Sequence, residues 1–387
     1  MHKRLFGATA LLGTLLLTLG VRAGKAQAWA SVDVGAGHAC ALDTGGRAFC
    51  WGNNHYGELG ARTPETCGHA HHPGQRACYA SASTAPVAVG GGMRFRALSA
   101  GGTRSCGLDD AGRAWCWGQE VGTATAGCAS SLVCSSDPRP FAPELAFRSI
   151  RVGEDAVCGI TADGAGTCWR PVRGTAGEWA RTAVAPGERL AWIDHHGDWM
   201  NRAEYVACAV TGDGHVLCQG ENDFAQLGAG DTMRHAGAVR VADTAAFAQV
   251  RPWALWTCAL TRDGRAFCWG AAEARGSWPG GVPSRPGYVA CGMSAWCSGP
   301  RPVVEGLRFA TLTPVRDRFC GLAHDGRVHC WGQDGAAEAV APGLRFVALE
   351  GGETRACALT REGEIWCWEA SMGAPAVRPG RAPPPPR

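Results

Sequence analysis

The chain has 387 residues, 20 of them cysteines, and a formal charge of +3. Lys3, Arg4, Arg22 and Lys25 lie in a predicted N-terminal signal, and their removal lowers the charge from +3 to −1. Because a near-neutral mature chain lacks the basic excess of a nucleic-acid binder, we predict that it has no nucleic-acid partner.

Residues 1–28 have the order of an export signal. Basic His2-Lys3-Arg4 precedes an apolar run from Leu5 to about Gly20, and Ala26-Gln27-Ala28 or Ala28-Trp29-Ala30 forms a small-x-small cleavage site. The apolar run is too short for a membrane span, and no other stretch of the sequence approaches one. We therefore predict a soluble protein that is secreted or periplasmic once its signal is removed.

Seven times along the chain a cysteine is followed ten positions later by a second one, with a glycine six residues after the first. The pairs are Cys40/Cys50, Cys106/Cys116, Cys158/Cys168, Cys208/Cys218, Cys258/Cys268, Cys320/Cys330 and Cys357/Cys367. Three further pairs complete the set of 20, namely Cys67/Cys78, Cys128/Cys134 and Cys291/Cys297. An even number of cysteines, all of which fall into pairs, predicts disulfides in an exported chain. Structural zinc would need short C-x2-C knuckles, which the sequence lacks.

Each cysteine pair predicts a β-hairpin. Polar, glycine-ending turns such as Asp43-Thr44-Gly45-Gly46 separate two short strand-like runs. If Gly46 closes a three-residue loop in the left-handed conformation, residues whose numbers sum to 90 face each other. Cys40 then lies opposite Cys50, within reach of a disulfide. A tryptophan follows the second cysteine in six copies, and only Gln219 breaks the series.

Two more strand patterns lie upstream of the hairpins. An aromatic or aliphatic run precedes each one, as in 95–98 and 309–312, and a Pro-Val strand such as Pro86-Val87 lies ahead of that run. Three or four short strands per unit, repeated seven times, predict an all-β ring of seven blades, a β-propeller.

The two ends of the chain predict how the ring closes. The chain enters the ring with the second strand type, and Pro375-Ala376-Val377 follows the last hairpin without a hairpin of its own. We expect this C-terminal strand to pair into the first blade and close the ring. The propeller would span residues 29–377, followed by a disordered Pro-rich tail over 378–387.

The spacing of the repeats shows where loops are inserted. Successive first cysteines lie 66, 52, 50, 50, 62 and 37 residues apart, and the three extra cysteine pairs fall in the intervals of 66, 52 and 62. Long loops closed by their own disulfides are rigid projections, and rigid loops on a scaffold are where recognition tends to occur.

These motifs resemble the repeat of the regulator of chromosome condensation family, and the paired cysteines are similar to those of its exported bacterial members. The best match is Gly35-Ala36-Gly37-His38-Ala39-Cys40-Ala41-Leu42 with Cys50-Trp51-Gly52-Asn53-Asn54-His55-Tyr56-Gly57-Glu58-Leu59-Gly60. The resemblance covers about residues 31–377 and implies a seven-bladed propeller. Its terminal Gly-x-Leu-Gly box survives only at 57–60 and, less fully, at 225–228. The nucleotide exchange and chromatin binding of the nuclear member are not expected here, because the signal and the charge oppose them.

The most metal-like segment is Cys67-Gly68-His69-Ala70-His71-His72 with Cys78, because imidazole and thiolate suit zinc or copper. We interpret it as a disulfide-closed loop, since oxidation removes both thiolates, and we expect no metal and no cofactor. His69, His71 and His72 remain candidate contacts for a partner, as do Trp278 and Trp296 in another inserted segment.

One further segment carries groups that could do chemistry. Asp194-His195-His196-Gly197-Asp198 places carboxylates beside imidazoles, although neighbouring residues of a strand point to opposite faces. The sequence has no G-x-S-x-G, H-E-x-x-H or phosphate-loop motif.

We therefore predict a non-catalytic, monomeric, exported propeller that binds a protein or peptide partner through its disulfide-stapled loops. The alternative is a secreted hydrolase or carbohydrate-active enzyme with its site at the central channel. That alternative predicts carboxylates or histidines that converge from several blades at one end of the axis.

Overall fold

The computed structural model describes residues 28–69, 76–119, 134–172, 178–197, 205–235, 237–243, 245–274, 288–291, 295–332, 336–369 and 380–385. These residues form seven antiparallel sheets, the blades, of which six have four strands and one has five. The first strand of each blade contacts that of the next, and the last contacts the first, so the blades form a closed ring. The predicted all-β, seven-bladed propeller is confirmed.

The strands follow one another in chain order from blade to blade. Blades 1 to 3 and an insertion in blade 1 comprise Trp29–Val34 (β1), His38–Asp43 (β2), Ala48–Gly52 (β3), Glu65–His69 (β4), Arg76–Ala80 (β5), Ser83–Ala88 (β6), Ala97–Gly101 (β7), Arg104–Leu108 (β8), Ala114–Gln119 (β9), Cys134–Phe141 (β10), Phe147–Val152 (β11), Val157–Thr161 (β12), Gly166–Pro171 (β13) and Trp179–Val184 (β14). A short 3-10 turn, Val89–Gly91, follows β6.

Blades 4 to 7 comprise Leu190–His196 (β15), Val206–Thr211 (β16), Val216–Gly220 (β17), Val239–Arg240 (β18), Phe247–Trp253 (β19), Trp256–Thr261 (β20), Ala266–Ala274 (β21), Tyr288–Cys291 (β22), Ala295–Val303 (β23), Phe309–Val315 (β24), Arg318–Ala323 (β25), Val328–Trp331 (β26), Ala337–Val340 (β27), Phe346–Gly351 (β28), Arg355–Thr360 (β29), Ile365–Glu369 (β30) and Gly380–Arg381 (β31).

The hairpin register follows from the turn, as the cysteine spacing predicted. In blade 1 Cys40 pairs with Cys50 across β2 and β3, and Gly46 has a φ of 78°. The Cβ atoms of directly opposed residues lie close together, so a disulfide joins the two strands. All seven repeat pairs form this bond: Cys40–Cys50, Cys106–Cys116, Cys158–Cys168, Cys208–Cys218, Cys258–Cys268, Cys320–Cys330 and Cys357–Cys367. Such a set indicates an oxidising environment.

The Pro-Val strands belong to the preceding hairpin. Val87 of β6 pairs with Cys50 of β3, and Pro302 of β23 pairs with Phe267 of β21. Each blade is therefore an inner strand, a hairpin and an outer strand. In blades 1 and 5 the Pro-Val strand is this outer strand, and it does not open the next unit as its place in the sequence order suggests.

The assignment of each outer strand to the preceding hairpin also bears on how the first and last blades meet. Blade 1 has four strands of its own, and the C-terminal strand β31 forms the outer edge of blade 7 by pairing with β30. Residues 375–377, which we expected to pair into the first blade, lie outside the described residues. Among the described residues, blades 1 and 7 meet at the buried Trp29, whose backbone N–H donates to the Gly363 carbonyl and whose Nε1 donates to the Pro383 carbonyl.

Part of the tail expected to be disordered is placed by the same contacts. Residues 380–385 are described, and β31 precedes the Pro383 carbonyl that accepts the Trp29 hydrogen bond. Backbone pairing to β30 and this hydrogen bond give the proline-rich segment a defined position that its composition did not predict.

The repeat tryptophans fill the spaces between blades. Trp117 of blade 2 donates its Nε1–H to the carbonyl of Glu58 in blade 1 at 2.8 Å, and Trp269 of blade 5 donates to Gln226 in blade 4 at 2.9 Å. A Cβ at Gly60 or Gly228 would lie within 2.9 Å of these indole nitrogens. The surviving Gly-x-Leu-Gly boxes are therefore docking loops for the indole of the following blade.

Candidate functional site

One end of the ring carries all three cysteine-bearing insertions. Each blade is an antiparallel meander, so its first-to-second and third-to-fourth connections lie at the same end. The insertions lie between β3 and β6, β9 and β10, and β21 and β23, which are all third-to-fourth connections. We call this end the insertion face, and the opposite end, which carries hairpin turns such as 43–47, the turn face.

Two of the insertions are partly described, and both contain hairpins. The strands β4 and β5 form a separate two-stranded sheet in which Cys67 lies opposite Cys78. The strand β22 extends blade 5 to five strands, with Cys297 opposite Val289 and Cys291 opposite Ala295.

The predicted contact residues belong to these insertions. The backbone of His69 lies in β4 and that of Trp296 in β23. Their side chains, and the whole of His71, His72, Trp278 and Cys128, lie outside the described residues. Their role in binding a partner therefore stays a prediction.

A ring of seven side chains occupies the axis. Each belongs to the inner strand of its blade and pairs with the first repeat cysteine of that blade, so all seven lie at the same height. In blade order they are Asp33, Ser99, Arg151, Asp194, Arg251, Thr313 and Glu350. We call this set the axial ring.

Arginines neutralise two of the three carboxylates in the axial ring. Arg251, with only 7% of its side chain exposed, donates to Asp194 at 2.9 Å and to Glu350 at 3.0 Å. Arg151 lies 3.7 Å from the other oxygen of Glu350. Burial lowers the pKa of Arg251, but the negative charges of Glu350 and Asp194 outweigh the effect of burial, so the pKa of Arg251 is raised. These pairs tie blades 3, 4, 5 and 7 together across the axis.

The third carboxyl, Asp33, is held differently. Its Oδ1 accepts a hydrogen bond from the Val34 backbone N–H at 2.7 Å, and the residue is 7% exposed. Burial and, after it, the negative charge of Glu350 raise the pKa of Asp33 to about 7, against the opposing effects of Arg151 and Arg251. Asp33 therefore takes up a proton near neutral pH.

The histidines beside Asp194 do not form an acid/base pair with it. His195 is buried, and its Nε2 donates to the carbonyl of Ala156 at 3.0 Å. Burial lowers the pKa of His195, although Asp194 and Asp155 oppose the effect. The imidazole of His196 contacts the indole of Trp253, and the centroids of the two aromatic rings lie 4.5 Å apart. Asp198 lies outside the described residues.

The axial cavity opens on the insertion face but is small. It is bordered by first-to-second connections, including Gly35, Gly102 and Glu154, and encloses about 60 Å³. That volume suits a few water molecules and not a sugar or peptide group. Within the described ranges, no group of three or more His, Cys, Asp or Glu residues is arranged to hold a metal ion.

Sequence reasoning missed the axial ring, although a signal was present. In six blades the ring residue stands seven positions before the first cysteine, as Asp33 does before Cys40. In blade 4 the distance along the sequence is longer, because extra residues follow β15 between Asp194 and Cys208. The signal is a recurrent polar side chain, and its identity changes from blade to blade.

The fold and the repeated hairpin define a class of protein, the seven-bladed propeller built of short repeats with conserved geometry. A family model of the regulator of chromosome condensation (RCC1) repeat matches residues 29–58. The match lies in blade 1 and covers its inner strand and its disulfide-linked hairpin. No curated protein sequence matches it.

Solved structures with this fold come from several eukaryotes. Human WBSCR16 is 15% identical with a TM-score of 0.63, covering 87% of this chain and 94% of that one. Prp20p of Saccharomyces cerevisiae, described with its binding to Gsp1p and histones, is 13% identical with a TM-score of 0.60, covering 87% and 85%. The CRINKLY WD40 ectodomain of the Arabidopsis thaliana receptor kinase ACR4 is 15% identical with a TM-score of 0.53, covering 93% and 100%. These similarities concern the fold.

Among the described residues, no helix has the length and apolar character that a membrane crossing requires.

Proposed function

We propose that this protein is an exported, non-catalytic propeller that binds a protein or peptide partner on its insertion face. The observation that carries the proposal is the placement of all three cysteine-bearing insertions in third-to-fourth connections, and hence at one end of the ring. Loops from blades 1, 2 and 5 would project from the outer part of the ring on that side and present a rigid, discontinuous surface.

The rigidity of this surface supports recognition of a folded or extended polypeptide. The hairpin β4–β5 and the extension β22–β23 are backbone-paired, so they lose little further entropy when a partner binds. The propeller below them is fixed by a disulfide in every blade. A stiff platform with projecting hairpins suits binding more than a moving catalytic lid.

The axial ring supports a structural role and not hydrolysis. A glycosidase needs two carboxyls that are free to face the substrate, whereas Asp194 and Glu350 accept hydrogen bonds from Arg251. The cavity of about 60 Å³ also leaves no room for a sugar ring.

A hydrolase remains the second candidate because its geometric expectation is met. Carboxylates from blades 1, 4 and 7 converge at the axis, and the pKa of Asp33 is raised to about 7, a value suited to a general acid. Glycosidase, esterase and peptidase assays on the mature protein test this candidate. Turnover that is lost in Asp33→Asn would replace our proposal with it.

The binding proposal is tested by loop replacement and capture from extracellular and periplasmic fractions. Three variants each replace one insertion, 64–81, 120–134 or 272–297, with a short Gly-Ser turn. Each replacement removes both cysteines of its extra pair, so no odd thiol is created. The outer-strand pairings outside the replaced residues stay in place, namely Cys50 with Val87, Cys116 with Arg139 and Cys268 with Arg301.

The matched control is Arg361→Ala, an exposed residue of the turn face. We expect the wild type and the control to retain the same partner and at least one replacement to lose it, with unchanged melting temperatures. Retention by all three replacements, or no partner for the wild type, would contradict the proposal.

A further inference from the structure

The six repeat tryptophans define a socket that recurs around the ring. Each indole follows the second cysteine of its blade, and every one is 7% exposed or less: Trp51, Trp117, Trp169, Trp269, Trp331 and Trp368. In blade 4 this position holds Gln219, whose Nε2 donates to the carbonyl of Ala183 in blade 3 at 3.2 Å. Blade 4 therefore has the socket without the indole.

A cleft of about 730 Å³ lies between blades 3 and 4 at this position. Two features open it. An amide side chain is smaller than an indole. Among the described residues, the outer strand β18 pairs only with Leu217 and Cys218, so Gln219 and Gly220 have no fourth-strand neighbour there. The volume lies within the range of about 300–1,000 Å³ that is typical of small-ligand pockets.

The walls of the cleft favour a neutral aromatic group. Leu217, Ala185 and Ala238 supply apolar surface, and the guanidinium of Arg170 lies 4.3 Å from the ring centre of Tyr205. Arg170 also pairs with Asp155 at 2.9 Å, so its charge is balanced.

The second cation of the cleft is balanced in the same way, because Arg234 pairs with Glu221. A ligand with a net negative charge would have to compete with these carboxylates. A flat ring with one N–H donor has the Ala183 carbonyl as an acceptor once the Gln219 amide moves aside.

We propose that this cleft binds an indole ring supplied by another molecule, either a tryptophan side chain of a polypeptide or a free indole compound. The bound indole occupies the position in blade 4 that the repeat tryptophan occupies in each of the other six blades. Its N–H is directed at blade 3. The proposal does not depend on the insertion face, because the cleft lies between two blades that carry none of the three cysteine-bearing insertions in their third-to-fourth connections.

The test is 19F NMR of the mature protein with two probes, 5-fluoroindole and a capped Gly-5-fluorotryptophan-Gly peptide. We expect saturable line broadening with wild-type protein, and the two probes distinguish a free indole from a side chain as the source. Gln219→Trp should fill the socket from within, abolish binding of both probes and raise the melting temperature. Val347→Trp is the matched control, because it adds an indole at an exposed position of blade 7.

Two further variants keep the test decisive if Gln219→Trp folds poorly. Gln219→Ala removes the competing amide and should retain binding, whereas Ala238→Arg places a long side chain in the cleft from another wall and should lose it. The proposal is overturned if neither probe binds the wild type, or if probe binding persists unchanged in both Gln219→Trp and Ala238→Arg.

Discussion

The axial carboxyl of Asp33 makes a prediction about stability that a single substitution can test. In Asp33→Asn the amide oxygen still accepts the Val34 hydrogen bond, but the side chain can no longer ionise. The folded chain holds the Asp33 proton more tightly than the unfolded chain does, with a pKa of about 7 against 3.8. Each unit of that difference corresponds to about 1.4 kcal/mol, so the full effect is at most about 4 kcal/mol.

The sign follows from which state binds the proton. Between the unfolded value of 3.8 and the folded value of about 7, the folded state carries more of the proton, so the stability of the wild type from this group falls as pH rises. Below that window both states are protonated and the variant should match the wild type. Above it, Asp33→Asn should be the more stable protein.

The assay is equilibrium denaturant unfolding of both proteins, disulfides intact, at several pH values across this window. Asp109→Asn is an opposite-sign control, because hydrogen bonds from Arg113 outweigh burial and lower the pKa of Asp109. That variant should be less stable than the wild type at neutral pH and converge with it in acid. A difference between Asp33→Asn and wild type that does not change with pH would refute the reasoning.

Three other outcomes are expected. Replacing Cys158 and Cys168 together with alanine removes an 11-residue loop closure and should lower the unfolding free energy by about 2.8 kcal/mol, and a melting temperature unchanged by dithiothreitol would contradict the role of these bonds. Arg251→Met leaves Asp194 and Glu350 without their cation and should lower the free energy of unfolding by about 3–5 kcal/mol at neutral pH. The loss should be smaller in acid, and an equal loss at both pH values would argue against the ion pairs. If the chain is exported, mass spectrometry should find a mature N-terminus at Trp29, because cleavage after Ala30 would remove an indole that is 3% exposed.

Most of the blade could be predicted because its determinants are local. The offset from Cys40 through Gly46 to Cys50 fixes a turn, a register and a disulfide within 11 residues, and the same offsets recur in every blade. The number of blades follows from counting.

The phase of the blades could not be predicted in the same way. Whether a Pro-Val strand such as Ser83–Ala88 joins the hairpin before it or the one after it depends on pairing across an insertion, here Phe49 with Ala88. Sequence proximity favours neither partner. The position of residues 380–385 could not be predicted for a related reason, because their partner Trp29 lies at the other end of the chain.

The axial ring was missed because its members differ chemically. Asp33, Arg151 and Thr313 share a position but no residue type. The ion pairs of the ring, such as that of Arg251 with Glu350, form only when blades distant in sequence meet at the axis. Gln219 was visible as an exception, but that it borders a cleft could be seen only once its neighbour Ala183 in blade 3 was placed.

The most direct test of the account is hydrogen–deuterium exchange of the mature protein alone and with its captured partner. We predict that the partner protects third-to-fourth connections on the insertion face, among them β4, β5 and β22. Protection confined to the hairpin turns of the turn face, or to no segment of the propeller, would contradict the account.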